Sequence, residues 1–317
     1  MNKGDMIAQR NAFGQGLLAI ADKYPEMVVF DPDVCTSTQT AGFRDAYPDR
    51  FYEMGIAEAN TVCAAAGMAT CGYTPWVSAF AVFLAKRALD QIRVSVAYAN
   101  LPVKLNASYG GLPSGRGGGT HSSVQDIAVM RAMPNMTIFC PADAVETIAM
   151  TDLAMRTPGP VYLRTVRCEV PVIFDPSWRP VAGKAAQLTD GNDLAICCEG
   201  MMTPTALQAA EKLAKLGIRA RVLHFGTIKP FDGDAVVKAA RECGRILTVE
   251  NHSVIGGLGG AVCEVVAERS PCLVRRAGFP DVFMECGDDK EIFAGFGMDV
   301  DGIARQAQEL LSQPDFR

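Results

Sequence analysis

The feature that most constrains this chain is an alternation of short apolar runs with stretches of helical period, interrupted once and then resumed. MVVF (27–30), FYEMG (51–55), WVSAF (76–80), PVKLNAS (102–108), MTIFCP (136–141) and VYLRTV (161–166) are strand-length runs. Between them, residues 5–23 carry helical spacing through Ile7, Phe13, Leu17, Leu18 and Ile20. Residues 57–71 are small and apolar, suited to a closely packed helix. Strands alternating with helices predict an α/β fold, a mostly parallel sheet with helices on both faces.

The interruption is PVIFDPSWRPVAGKAAQL (171–188), rich in proline and without helical period. The pattern then restarts. DLAICCEG (193–200), RARVLHF (219–225), RILTVE (245–250) and CLVRRAG (272–278) are strand runs. Helices are expected at 203–217, which has a threonine start and a glycine stop, near 232–242 and near 257–269. Two consecutive α/β domains follow: residues 1–175, a linker at 176–190, and residues 191–317.

Composition narrows the function classes. The chain has 317 residues, 49% of them apolar, with a formal net charge of -5 and no Lys/Arg run. That argues against a nucleic-acid surface but not against a small basic pocket for an anion. Eleven cysteines without a C-x-x-C pair read as free thiols in a reducing compartment. The three histidines, His121, His224 and His252, lie far apart, so no metal site is expected within this chain. No apolar window approaches the roughly 20 residues of a membrane span, and the first residues do not form a signal peptide. The expectation is a soluble, cytoplasmic protein.

Two glycine-rich segments stand out. GGLPSGRGGGTH (110–121) follows a strand but lacks the spacing and terminal Lys-Ser/Thr of a P-loop. It reads as a flexible loop or as a backbone approach to a ligand. GGLGG (256–260) reads as a helix-start turn rather than a phosphate loop.

FYEMGIAEANTVCAAAGMA, AFAVFLAKRALDQIR (79–93), GGGTHSSVQDIAVMRAMPNMTIFCPADAVE (117–146) and GPVYLRTVR (159–167) occur in an order that resembles the transketolase family. TIKPFD (227–232) and TVENHSVIGGLGGAV (248–262) resemble its C-terminal domain. The resemblance covers nearly the whole chain and implies a pyrimidine-binding domain followed by that C-terminal domain. The family's Gly-Asp-Gly motif, which holds the diphosphate of thiamine diphosphate through Mg²⁺, is missing; TDGND (189–193) and CGDDK (286–290) do not match it. The resemblance therefore implies a split transketolase. A partner chain brings the diphosphate-binding domain and the Mg²⁺ ligands, and the assembly is an α₂β₂ tetramer.

The resemblance makes Glu58 the catalytic carboxylate. A carboxylate shares a proton with the pyrimidine ring nitrogen of thiamine diphosphate and favours its imino form. By position alone, Glu58 reads as a first-turn carboxylate that complements the helix dipole. Phe80 and Phe83 match the aromatics that stack on the aminopyrimidine, a contact of about 0.5–1.5 kcal/mol. The family's frequent third aromatic is replaced by Lys86, which leaves a thinner wall. Asp33 matches an aspartate near the cofactor ring, although a loop after a strand also takes aspartate for its turn. Sheet C-terminal ends are where such folds place ligands.

On the substrate side, Arg10, Ser37 and Arg167 match the family's sugar-phosphate contacts, and Arg164 matches an arginine of deoxyxylulose phosphate synthases. The guanidinium fork suits an anionic group. His121 matches the histidine that faces sugar hydroxyls and relays protons. Tyr109 stands where the family has a phosphate-contacting histidine, and Gly117 where it has an aspartate that reads an acceptor hydroxyl. The expected activity is transfer of a two-carbon ketol unit between sugars, with a non-standard ketose or a different anionic tail. A deoxyxylulose phosphate synthase-like enzyme, a 2-oxo acid dehydrogenase β subunit and a non-catalytic subunit are the competing readings.

Overall fold

The computed structural model describes residues 1–112 and 117–314. Its larger sheet has seven strands, in spatial order Thr227–Lys229, Thr137–Phe139, Val161–Arg164, Lys104–Ser108, Thr74–Phe80, Met27–Asp31 and Phe51–Glu53. The last six run parallel to one another. Every residue of Met27–Asp31 and of Lys104–Ser108 is buried, as expected where helices cover both faces. On one face Met27, Val29 and Trp76 pack with Phe13 and Leu17 of the helix Gln9–Ile20 and Met150 of the helix Ala144–Arg156. On the other, Val28, Phe30 and Val77 pack with Val62, Ala65 and Ala69 of the helix Glu58–Thr70.

The smaller sheet is ordered Leu273–Phe279, Arg245–Ser253, Leu194–Cys198, Ala220–His224 and Ala186–Gln187, parallel except for the last strand. Met202–Ala214 and Val300–Leu311 cover one face. Gly233–Cys243 and Leu258–Arg269 cover the other, and their apolar residues join the same core as the helix Glu58–Thr70. The two sheets thus share a helical layer. The α/β alternation read from the sequence holds in both.

Three features depart from the local sequence pattern. Ile7 is not helical. Met6–Ala8 forms a strand antiparallel to Glu169–Pro171, and the helix begins only at Gln9. Thr227–Lys229 leaves its own sheet and pairs antiparallel with Ile138 and Phe139 of the larger one. The proline-rich linker is packed down: Phe174 stacks on Trp178 at 4.2 Å, and Asp143 accepts the Ile173 and Phe174 N–H groups. Among the described residues, no helix is long and apolar enough to cross a membrane.

Candidate active site

The site residues gather at the C-terminal ends of the parallel strands. Phe51–Glu53 runs out through Gly55, whose φ of +67° turns the chain back so that the Ala57 N–H reaches the Gly55 carbonyl at 2.7 Å. That turn makes Glu58 the first residue of its helix. Its carboxylate is only 3% exposed, a position in which an unpaired charge is costly. Arg87 supplies the partner: its Nη1 donates to Oε2 at 2.8 Å and to Oε1 at 3.1 Å. The same guanidinium lies 4.5 Å from the centre of the Phe83 ring.

Phe80 is the last residue of its strand, and the helix Ala81–Lys86 starts immediately after it. The corner sets the Phe80 and Phe83 rings 5.9 Å apart at 24°, both half-buried. Position 86 is a lysine, and a third ring reaches the pair from another strand. Tyr109, following Lys104–Ser108 with a φ of +61°, stacks on Phe80 at 4.2 Å. Phe83, Phe80 and Tyr109 form a continuous aromatic row. His121 meets it edge-on, 5.7 Å from Phe83 and 6.2 Å from Phe80. Its Nδ1 pairs with the Thr120 hydroxyl at 2.8 Å.

The far end of the row is basic. Arg10 Nη1 donates to the Tyr109 hydroxyl and to the Ser37 carbonyl, both at 3.1 Å. The Arg10 and Arg167 guanidiniums lie 5.9 and 5.7 Å from the Tyr109 ring centre. Arg10 Nε and Ser108 Oγ are buried without a hydrogen-bond partner among the described residues. Such groups usually have partners, and here they border a site lined by arginine. Asp33 is exposed, with a φ of +64°, and its N–H donates to Glu53 Oε1 at 2.7 Å.

Its loop is anchored by Asp31, which no sequence motif singles out. Asp31 accepts from the Val34 N–H and from the Thr38 and Thr40 hydroxyls at 2.6–2.9 Å. Burial raises its pKa to about 6 despite those donors. Arg87 is a second residue absent from the sequence-based expectation. Its one signal is the four-residue spacing from Phe83, a helical neighbour distance.

Arg164 is not in this group. It is 3% exposed, with Nε on Asp126 Oδ2 at 2.8 Å and Nη2 on Asp126 Oδ1, the Ser123 carbonyl and the Asn251 carbonyl. Glu199 lies 3.7 Å from Nη1. Four ties to its own chain leave this guanidinium holding the two sheets together. The resemblance had made it a substrate contact.

Beside it, Gly111 has a φ of +73°, and a Cβ there would come within 2.4 Å of Asn251. Asn251 in turn accepts the Leu112 N–H at 2.9 Å. Only glycine fits that approach. Residues 113–116 of the glycine-rich loop lie outside the described residues. Gly117 has an ordinary helical φ of -76°, so nothing in its backbone requires glycine. GGLGG opens the helix Leu258–Arg269, and the Gly259 N–H is taken by Glu250 of the same chain.

A second tie between the sheets is the buried pair His224–Glu146, at 2.7 Å. Burial alone lowers the imidazole pKa, but the Glu146 carboxylate outweighs it and pushes it up to about 10. His252 is also buried. It keeps its proton on Nδ1, which donates to the Ser253 carbonyl, while Nε2 accepts from the Ala128 N–H. Burial lowers its pKa to about 4.

Residues 5–172 match the transketolase pyrimidine-binding domain and residues 183–303 the transketolase C-terminal domain. The chain belongs to the transketolase family. A 6-deoxy-6-sulfo-D-fructose transketolase subunit of Clostridium sp. (strain MSTE9) is 38% identical, over 97% of this chain and 96% of that protein. One subunit of an apulose-4-phosphate transketolase of Phocaeicola vulgatus is 40% identical over 98% and 99%. The solved structure of a split-gene transketolase described as an inactive β4 tetramer superposes with a TM-score of 0.90 at 41% identity, covering 97% of this chain and 99% of that one. By contrast, a 1-deoxy-D-xylulose-5-phosphate synthase of Geobacter sulfurreducens is 36% identical, but the match spans 47% of its length. The chain thus spans nearly the full length of relatives named as transketolase subunits, and its family is one of transferases that depend on thiamine diphosphate.

Proposed function

We propose that this subunit carries the pyrimidine end of the cofactor site and the substrate wall of a transketolase that moves a two-carbon ketol unit from an anionic ketose to an aldose. The observation that carries the reading is the row Glu58–Phe83–Phe80–Tyr109–Arg10. A buried carboxylate stands at one end, flat rings in the middle and guanidinium at the other. The chemistry of this donor set fits an aminopyrimidine: an aromatic face for stacking beside a carboxylate that hydrogen-bonds a ring nitrogen. Thiamine diphosphate, when bound, supplies the nucleophilic carbon for the ketol unit. Glu58 holds the proton at the ring nitrogen, Phe80 and Phe83 orient the ring and keep water from it, and Asp33 borders it.

His121 is assigned to the sugar hydroxyls and to proton relay. Arg10, Arg167, Ser37 and Tyr109 are assigned to the anionic tail. Arg164 is assigned instead to positioning, through Gly110 and the strand end behind Tyr109. A tetrahedral anion suits two guanidiniums sharing one aromatic ring. Of the relatives, one is named for a sulfo-sugar and one for a sugar phosphate, which supports a tail of sulfonate or phosphate on a non-standard ketose.

The diphosphate and Mg²⁺ are assigned to the partner chain, in a cytoplasmic α₂β₂ tetramer built on residues 1–175 as the pyrimidine domain, 176–190 as the linker and 191–317 as the C-terminal domain. The test is ketol transfer by the complex reconstituted with its diphosphate-binding partner, using ketoses that carry sulfonate, phosphate or no anion. Transfer from the anionic donors is expected. Equal rates from uncharged ketoses would sink the anion assignment, and carbon dioxide release from 2-oxo acids without ketol transfer would sink the reaction.

A further inference from the structure

Glu58 and Phe83 are jointly occupied by a side chain of the same protein. The Arg87 guanidinium is planar, lies 4.5 Å from the Phe83 ring centre and gives its Nη1 to both oxygens of Glu58. A flat donor against an aromatic face, with an N–H on the carboxylate, reproduces the two contacts that an aminopyrimidine makes. We propose that Arg87 is a resident stand-in for the cofactor ring: it keeps the buried carboxylate paired while the seat is empty and must withdraw when the ring takes its place. The inference rests on the cofactor reading given above.

Three observations favour a removable occupant over a permanent tie. First, the grip is single-ended. One nitrogen serves both carboxylate oxygens, at 2.8 and 3.1 Å, rather than the two-nitrogen fork that gives arginine–carboxylate pairs their strength. Second, the burial is one-sided. Glu58 is 3% exposed and Arg87 52% exposed, so Arg87 regains water at little cost when it leaves, whereas Glu58 needs a new donor in its place. Third, Arg87 sits at the end of the short helix Ala81–Lys86, as its C-cap residue, on a flexible stem at the surface. An ion pair with one partner half in water and a cation–π contact from that same half-exposed guanidinium are each modest, so displacement is possible without a large conformational change.

The consequence is a competition that weakens cofactor binding and protects Glu58 in the unloaded subunit. Calorimetric titration of thiamine diphosphate with Mg²⁺ into the reconstituted complex tests it, comparing the wild type with Arg87→Ala. Removing the stand-in is expected to tighten the dissociation constant by roughly three- to thirtyfold, because two weak interactions no longer compete with the ring. Arg87→Met, which keeps the stem over Phe83 without its donors, replaces Arg87→Ala if the latter misfolds and is expected to shift binding the same way. Unchanged or weaker binding in the folded variant overturns the proposal and makes Arg87 part of the binding site. A crystal structure of the loaded complex gives a readout that does not depend on affinity. Arg87 Nη1 is expected beyond hydrogen-bond distance of Glu58, and a retained contact near 2.8 Å overturns the stand-in role. Absence of binding by the wild-type complex overturns the cofactor reading itself, a failure distinct from either of those.

Discussion

Glu58 and Asp126 are both buried acids gripped by an arginine, and both lie beyond the C-terminal ends of strands in the larger sheet. What surrounds them differs. Asp126 meets Arg164 through two nitrogens, both side chains are withdrawn from water, and carbonyls of Ser123 and Asn251 take further donors. Glu58 meets one nitrogen of an arginine that is half in water. The first pair is tied to the second sheet through the Asn251 carbonyl and has nowhere to go. The second opens onto half-buried rings. Residue type does not separate structure from function here; the number of donors committed and the exposure of the partner do.

Breaking each acid–arginine pair should therefore give opposite phenotypes. Glu58→Gln keeps the size and a hydrogen bond but removes the charge. In the reconstituted complex, turnover should fall by about 10²–10⁴-fold, the range for a lost acid–base group, while the unfolding midpoint of the subunit stays near wild type. A fall in stability with turnover retained would invert the comparison. Arg164→Ala should do the reverse. It strands Asp126 and Glu199 in the interior, and denaturant unfolding should register a loss of about 3–5 kcal/mol. Any turnover lost should track the unfolded fraction.

The second inter-sheet tie sharpens the contrast through pH. The His224 pKa is raised from 6.5 to about 10 by Glu146. A raised folded value means that its stabilisation is complete below 6.5 and is lost as pH rises through about 10. Unfolding free energy should decline across that window, and His224→Gln should flatten the decline. A profile identical in the two proteins would remove the pair from the account. The smallest effect is expected at Tyr109→Phe, which keeps the stacked ring and deletes only the hydroxyl that receives Arg10. A net hydrogen bond is worth about 0.5–1.5 kcal/mol, so KM for an anionic ketose should rise a few-fold with kcat nearly unchanged. A loss confined to kcat would place the hydroxyl in the chemistry instead.

The strands and most helices are legible because each is written in a local period, as in MVVF or the glycine-stopped helix ahead of Gly217. Glu58, Phe80 and Phe83 are singled out by the order of the motifs that contain them. Which nitrogen or ring meets which is not legible. Arg164 and Asn251 are 87 residues apart, and Tyr109 completes an aromatic row begun on another strand. Arg10 and Tyr109 are 99 apart. Such meetings arise from strand order, which no window of sequence carries. The same holds for Met6–Ala8, where pairing with Glu169–Pro171 overrides a helical period.

The strand Thr227–Lys229 has a consequence for protein engineering. It closes the edge of a sheet otherwise built from residues 27–164, and helices on both sides of the linker share one core. A gene cut in the proline-rich segment would free neither half as an expressible module. The upstream piece would present a bare strand edge at Thr137–Phe139, an invitation to pair with copies of itself. The downstream piece would expose the apolar side of Gly233–Cys243 and Leu258–Arg269. Permutation or tagging schemes for this chain should therefore treat the linker as part of one folded unit, however much its composition resembles a tether.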